Sequence, residues 1–405
     1  MTTPGLTTPG TPTFLRTHND RAAFRLFLEH GALSRSQLGD LSGLSKPTAS
    51  QMIARLERIG LIEPVGETAG ARGPNAVSYG VRQTSMSGVA ISVLADVIEA
   101  VVVDPTDAEH PMVEVPTERP GAKRSPESDV AAAIAAACEA AGVAESAVRI
   151  VAVGVQAAVD SGEDALSFTD TLPGWPRVGA RQRIESRTGV SAILENDVNL
   201  AAIAERSVRG TRELSSFVYL WLGEGLGVGI DIDGEVQRGA FGGAGEVGYI
   251  EVPRSAAALD PDAMDFTDLL GGPAVRRVLG VESHARLRDA LAGLDGNDAA
   301  LAALADRVAL LASPVLAVLD PSAIVIGGPT GLAAGDRLAA LVQERIADEP
   351  PPKAKPSQVR THHRVSVHPS VAGTSPVLRG ARRLLVTEIR DRLEAAIVVD
   401  APAVG

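Results

Sequence analysis

Residues 223–248 read GEGLGVGIDIDGEVQRGAFGGAGEVG, with glycine at every second position from Gly223 to Gly229 and five more between Gly234 and Gly245. Alternate glycines in a Val/Ile run mark a strand whose backbone lies against something bulky, and the later cluster marks turns that need positive φ. A glycine-rich loop alone is compatible with a ligand site or with a plain hairpin turn. The flanking pattern is α/β. SGVAISVLADVIEAVVVD (87–104) reads as a strand pair and RIVAVGVQAAVD (149–160) as a buried strand, with an Ala-rich helix between them. SSFVYLWLG, GVGIDIDGEV and AIVIGG add strands, and LAALADRVALLASPVLAVLD and TSPVLRGARRLLVTEIRDRLEAA add helices. Strands alternating with helices predict sheets covered on both faces.

The chain has 405 residues, enough for two or three domains, and a 45% apolar, 22% charged composition ordinary for a globular protein. No uninterrupted apolar run reaches membrane-span length, and the start MTTPGLTTPGTPT lacks the layout of a signal peptide, so a cytoplasmic protein with no membrane partner is expected. One cysteine, Cys138, excludes a disulfide framework and reads as a small core residue. Charge is uneven. Residues 1–82 hold nine Arg/Lys against six acids, a net of +3, which leaves −15 on the remainder of a chain whose total is −12. A mildly basic head on an acidic body fits a DNA-binding module on a sensor or an enzyme, and equally a chance fluctuation.

After a Thr/Pro/Gly-rich tail (1–13) expected to be disordered, Asn19 to Glu29 reads as a helix that stops at His30-Gly31. Ser34 can cap a short helix to about Leu41, Gly43 makes a turn, and Ser45 can cap a second helix from Lys46 to about Ile59, with Pro47 in its first turn. That is a helix-turn-helix. Ala49, Ile53, Leu56 and Ile59 would face a small core. Lys46, Thr48, Ser50 and Gln51 lead the other face, with Arg55 and Arg58 behind them; short polar groups suit base edges, and cations suit phosphates. The following GLIEPVGETAGARGPNAVSYGV reads as a two-stranded wing with Arg72-Gly73-Pro74 at its tip. The predicted DNA-contacting set is Arg35, Ser45, Lys46, Thr48, Ser50, Gln51, Arg55 and Arg72.

Five stretches resemble the ROK family (repressors, open reading frames, kinases): LPGW at Leu172–Trp175, ENDVNLAAIAE at Glu195–Glu205, the glycine stretch, PSAIVIGG at Pro321–Gly328, and Gly380-Ala381. SRSQLGDLSGLSKPTASQMIARLERIGLIE and ARGPNAV resemble the winged helix that heads the family's regulators and is missing from its kinases. The resemblance implies a winged helix-turn-helix head (14–82) followed by a two-lobed, actin-like, sugar-kinase-like body (88–400). It also implies an effector site at Trp175, Asn196, Asp197 and Glu246, where acids and amides supply the directional partners that sugar hydroxyls need. A structural alternative is that Asp197 and Asn199 merely cap the helix that follows.

The departures from the family pattern bear on activity. Phosphoryl transfer rests on positioning and charge neutralisation, and the family's first phosphate loop has an Asp-x-Gly-Gly-Thr core; here Ala90 to Leu94 offer no carboxylate, glycine or hydroxyl at those places. Glu224 stands where Thr is usual in the second loop, and like charges about 4 Å apart repel by roughly 4 kcal/mol at an effective dielectric near 20. Tyr249 replaces the family's zinc-binding His, 251–275 contain no cysteine, and Thr267 falls at the place of a further sugar-binding Glu. No zinc is therefore expected, and His362-His363 in a strand-like run would point opposite ways. The expectation is a transcriptional regulator of carbohydrate-related genes, a repressor, without a catalytic residue, cofactor or metal. It would be a homodimer on an inverted-repeat, double-stranded operator, controlled by a sugar or sugar derivative. Two other readings stay open: a sugar kinase with an accessory DNA-binding head, and a regulator whose cleft no longer binds a ligand.

Overall fold

The computed structural model describes residues 12–68, 76–94, 97–117, 124–168, 172–348 and 365–398. The head runs α1 (Pro12–His30), β1 (Leu33–Ser34), α2 (Arg35–Ser42), α3 (Lys46–Arg58), β2 (Ile62–Thr68) and β3 (Ala76–Val81). Helix α1 starts seven residues before the predicted Asn19, because Pro12 fits a first turn and the chain behind it stays helical. Pro12 and Thr13, assigned from composition to a disordered tail, therefore belong to a helix, while residues 1–11 lie outside the described residues. The caps form as predicted: Ser34 and Gln37 make a reciprocal capping box, Ser45 accepts from Thr48 N, and Gly43 ends α2 at φ 68°. The core face of α3 is Ala49, Met52, Ile53 and Leu56. Ile59, predicted among them, is 44% exposed, because the helix ends at Arg58 and the backbone turns away there.

The first lobe contains β4 (Ser87–Val93), β5 (Val97–Val103), β6 (Val113–Pro116), α4 (Pro126–Ala141), β7 (Val148–Val155), β8 (Ala158–Asp160), β9 (Ala165–Ser167), α5 (Ala180–Thr188) and β10 (Ser191–Asn196). Helix α6 (Asp197–Glu213), broken at Gly210, leads to the second lobe. That lobe holds β11 (Ser216–Leu222), β12 (Leu226–Ile232), β13 (Glu235–Val236), α7 (Phe266–Leu270), α8 (Gly272–Leu279), α9 (Leu287–Ala290), α10 (Asp298–Leu319), β14 (Ala323–Gly327), α11 (Gly328–Asp348, kinked at Gly335) and β15 (Ser366–Pro369). Helix α12 (Pro376–Ala395) then returns to the first lobe.

The two sheets share one layout. Their orders are β10-β7-β4-β5-β6 and β13-β12-β11-β14-β15, each with three parallel strands continued by two antiparallel ones. This is the predicted α/β class. Core residues of α4 and α5 cover one face of the first sheet, and α12 with Leu200 of α6 covers the other. Helices α10 and α11 cover the outer face of the second sheet, while Val198, Ala201 and Ala202 of α6 pack on its inner face. Among the described residues α10 alone is long and apolar enough to cross a membrane; half of it is buried, and Arg307 in its middle bonds Leu259 O at 2.7 Å, as suits a core helix.

Helix α6 thus lies between both lobes, and the opening glycines explain how it fits. A Cβ at Gly227 would stand 2.9 Å from Val198 Cγ2, and one at Gly229 would stand 2.9 Å from Val198 O. The bulky neighbour of the glycine strand is α6 itself. On the opposite side Gly380 of α12 packs so closely that any Cβ would overlap Leu200 O. Backbone on both sides cannot yield as a side chain can, so Gly380→Ala should destabilise the chain by about 3 kcal/mol or more, read as a lowered urea midpoint. Unchanged stability would contradict this packing.

Candidate functional site

Two sites are built, one in the head and one between the lobes. In the head, the amino end of α3 faces outward. Ser45, Lys46 and Gln51 are exposed, and Thr48 and Ser50 are half-buried. Ser45 Oγ lies 2.9 Å from Thr48 Oγ1, so cap and first turn are tied together, leaving an N-terminal helix end whose dipole favours anions. Arg35 is exposed at the start of α2; its guanidinium donates to the Tyr79 hydroxyl of β3 and lies 5.0 Å from that ring's centre. Arg72 lies outside the described residues.

Arg55 needs a correction. It was expected to reach phosphate, yet its Nε and Nη2 both donate at 2.7 Å to the carboxylate of Asp20 on α1. Asp20 is almost fully buried. A two-point pair of this geometry fixes α3 against α1 and engages Nε and Nη2 of the guanidinium within the head. The sequence hid this because Asp20 sits 35 residues away, on a helix whose register only packing sets.

The second site is a cavity of ≈ 140 Å³ between the lobes, at the amino end of α6. Asn196, Asp197 and Glu246 line it, as do Gln156, Phe168, Trp221, Glu224, Tyr249 and Thr267. Asn196 caps α6: its Oδ1 accepts from Val198 N (2.9 Å) and Asn199 N (3.0 Å), and its Nδ2 donates to Ala157 O (3.0 Å). The cap is thus neither Asp197 nor Asn199, whose amide donates to Glu195 at 3.0 Å. Asp197 Oδ1 accepts from Val198 N at 2.9 Å. Burial, aided by the nearby Glu246 carboxylate, pushes the Asp197 carboxyl up to about 7 against that hydrogen bond. Burial also raises Glu246. Neighbouring acids are neutralised differently: Glu195 by Arg238 at 2.5 Å, and Glu205 by Arg209 at 2.6 Å. The wall therefore offers two carboxyls that burial raises, Asp197 to about 7, and carboxyls can accept from hydroxyls or, when protonated, donate to them.

Trp175 is not part of this wall. It is 5% exposed in the first-lobe core, and its indole Nε1 donates to Asp129 Oδ2 at 2.9 Å, so it anchors the 172–175 turn to α4. The effector role expected for it is withdrawn. In its stead the cavity gains Trp221, Phe168 and Tyr249, the last two stacked at 4.4 Å. Trp221 was legible as the third member of a period-2 series with Phe217 and Tyr219, which faces α6; Phe168 carried no sequence signal. Tyr249 and Thr267 were noticed as substitutions, and both turn out to line the cavity.

Glu224 also reads differently in three dimensions. Arg276 of α8 forks onto its carboxylate, with Nη1 to Oε2 at 3.0 Å, so the charge is balanced and the expected repulsion of phosphate is weaker than an isolated Glu would give. The stretch compared with the family's first phosphate loop lies in and just after β4. Ala90 to Val93 are buried in β4, Leu94 N bonds Val97 O at 3.0 Å, and Leu94 O accepts from Arg124 at 2.7 Å. At the place of the family's cysteine segment, Arg277 donates to Asp260 (2.9 Å) and Asp268 O (2.8 Å), which pulls the Asp260 carboxyl below its ordinary range. Among the described residues no group of three or more His, Cys, Asp or Glu is placed to hold a metal; His362 and His363 lie outside them.

The model of the ROK family matches residues 89–382, and one for a winged helix-turn-helix DNA-binding domain matches residues 16–63. The xylose repressor of Bacillus subtilis is 23% identical over 243 residues, 59% of this chain and 62% of that protein. The glucokinase of Streptomyces coelicolor is 36% identical over 122 residues, 30% of this chain and 37% of that protein. The chain spans about three fifths of the length of the xylose repressor it matches. A crystal structure described as a ROK family transcriptional regulator, homolog of the Escherichia coli MLC protein, superposes with a TM-score of 0.68 at 18% identity, covering 96% of this chain and 100% of the other. A ROK hexokinase from Thermus thermophilus superposes at 0.56 and 23% identity, over 75% of this chain and all of its own.

Arg55→Ala strands a buried Asp20 carboxylate and should cost the head about 3–5 kcal/mol, seen as early loss of head structure in urea; Asp20→Asn with Arg55→Gln should recover part of it. Asp197 gives a pH signature. Folded chains hold its proton up to about pH 7, whereas unfolded chains release it near 3.8, so its contribution to stability falls as pH rises through that window. Asp197→Asn should therefore raise Tm at pH 8 by a few degrees and leave it nearly unchanged at pH 4, by differential scanning calorimetry. An equal shift at both pH values would contradict the buried-carboxyl account.

Proposed function

The chain belongs to the ROK family, and on that premise we propose that it is a DNA-binding transcriptional repressor whose non-catalytic, kinase-like body senses a sugar-like effector. The observation that carries the proposal is the coexistence of an exposed, capped, polar α3 terminus with a β4–β5 hairpin in place of the phosphate loop. In this reading α3 enters the major groove with Ser45, Lys46, Thr48, Ser50 and Gln51 toward base edges and backbone, and Arg35 reaches a flanking phosphate. Arg72 would serve the wing. Two copies of the chain would place two heads one DNA turn apart on an inverted repeat. The effector would lie at the amino end of α6, its hydroxyls bound by Asp197 and Glu246 and its apolar ring face against the Phe168–Tyr249 wall. The name of the xylose repressor supports a sugar as effector class. Control then follows from unequal affinity of the effector for two lobe arrangements.

A second reading, a sugar kinase with a DNA-binding head, draws on Asp197: a carboxyl near 7 is suited to general-base work. Against it stands the lost phosphate loop.

Mapping the genomic DNA bound by the full chain supplies the operator. On that operator Lys46→Ala should weaken binding several-fold and lower the salt slope by about one, by fluorescence anisotropy. No sequence-specific binding by the unmutated chain would refute the repressor reading. ATP-dependent sugar phosphorylation abolished by Asp197→Asn would establish the kinase in its place.

A further inference from the structure

The head meets the body through the last helix. At the carbonyl end of α12, Arg21 Nε of α1 donates to Glu394 O at 3.1 Å, and Arg25, one turn along α1, pairs with the Glu394 carboxylate. Glu394 is largely shielded, and two cations at a helix C-terminus also meet the negative end of its dipole. The neighbouring Asp20 faces the other way and grips Arg55 of α3. The stretch Asp20–Arg25 of α1 therefore holds α12 through Arg21 and Arg25 and the DNA-facing helix through Asp20.

At its opposite end α12 is tied to α6 at two levels. Gly380 lies against Leu200 O. The segment that enters α12 is held by the fully buried Glu205 of α6, whose carboxylate accepts from Ser370 Oγ (2.7 Å), Val371 N (3.1 Å) and Ala372 N (3.1 Å). Helix α6 begins at the cavity with Asn196 and Asp197. The contacts thus run without interruption from cavity to α6, from α6 to α12, from Glu394 to Arg21 and Arg25, and from Asp20 to Arg55.

We infer that Arg21, Arg25 and Glu394 form a clasp of positioning residues that sets the tilt of the head on the body, and so the spacing at which two heads meet a two-half-site operator. The operator part rests on the repressor reading; the tilt does not. A shift of α12 moves the head as a unit, since the Asp20–Arg55 pair joins α1 to α3 and the head's apolar residues share one cluster with Ile389 and Leu393 of α12.

The test uses the full chain with spin labels on introduced cysteines at Asp40 in the head and Arg187 in the body, and reads the label distance by pulsed electron resonance. Glu394→Lys should broaden or displace the distribution, and Glu394→Lys combined with Arg25→Glu should narrow it again. Calorimetry on each variant checks that the fold is retained. Operator affinity should fall about tenfold or more in Glu394→Lys, recover in the double variant, and change less than twofold on DNA carrying one half-site. A distribution unmoved by Glu394→Lys, or one not restored by the charge swap, overturns the clasp. An equal loss on one and two half-sites overturns its role in spacing. Absence of operator binding by the unmutated chain sinks the repressor reading instead, while the label distance still decides the clasp.

Discussion

Helix α6 is squeezed between two sheets, and the rest of the molecule is arranged around the backbone contacts that make this possible. On one side Gly227 and Gly229 of β12 leave room for Val198 and its carbonyl; on the other, Gly380 of α12 meets Leu200 O. Dispersion and burial at such short range reward shape fit steeply and penalise a single added methyl, because close-packed interiors relax little. The same helix supplies apolar side chains to the cores of both lobes. Its position therefore ties lobe arrangement, cavity geometry and the course of α12 into one variable.

A polar consequence follows at the amino end of α6. The cap is Asn196, which satisfies the first free amides and leaves the neighbouring Asp197 carboxyl against the cavity. Burial and Glu246 hold that carboxyl near neutrality. Around it the other acids have acquired arginines: Glu195, Glu205, Glu224 and Asp231 each pair with one. Beside the cavity the Arg276 guanidinium is already engaged by Glu224.

The α/β order, the caps at Ser34 and Ser45, the turn at Gly43 and the need for close approach at Gly227 and Gly229 were all legible in the sequence. Each depends on local rules: helix ends need side-chain acceptors, left-handed positions favour glycine, and strands alternate. What escaped is non-local. Ile59 carried the right period for the α3 core but fell one residue past the end of its helix. Arg55 looked like a phosphate contact until Asp20 was found beside it. Trp175, in a stretch resembling a sugar-site motif, proved to be a core anchor bonded to Asp129. Glu224 looked like a lone charge until Arg276, 52 residues away, closed on it.

The sequence by itself determined which elements form, that a helix-turn-helix head precedes an α/β body, and which residue types are available for chemistry. Those follow from backbone preferences and periodic burial, which act over a few residues. Only the tertiary structure decided which of those residues meet. Pairing of charges and burial of carboxyls depend on distances set by packing, and an ion pair 35 or 52 residues apart in the chain leaves no trace in spacing. Hence the glycine stretch announced a close approach, but the identity of its partner, α6, and the cavity that the approach creates at Asp197 came from the packing of two sheets on one helix.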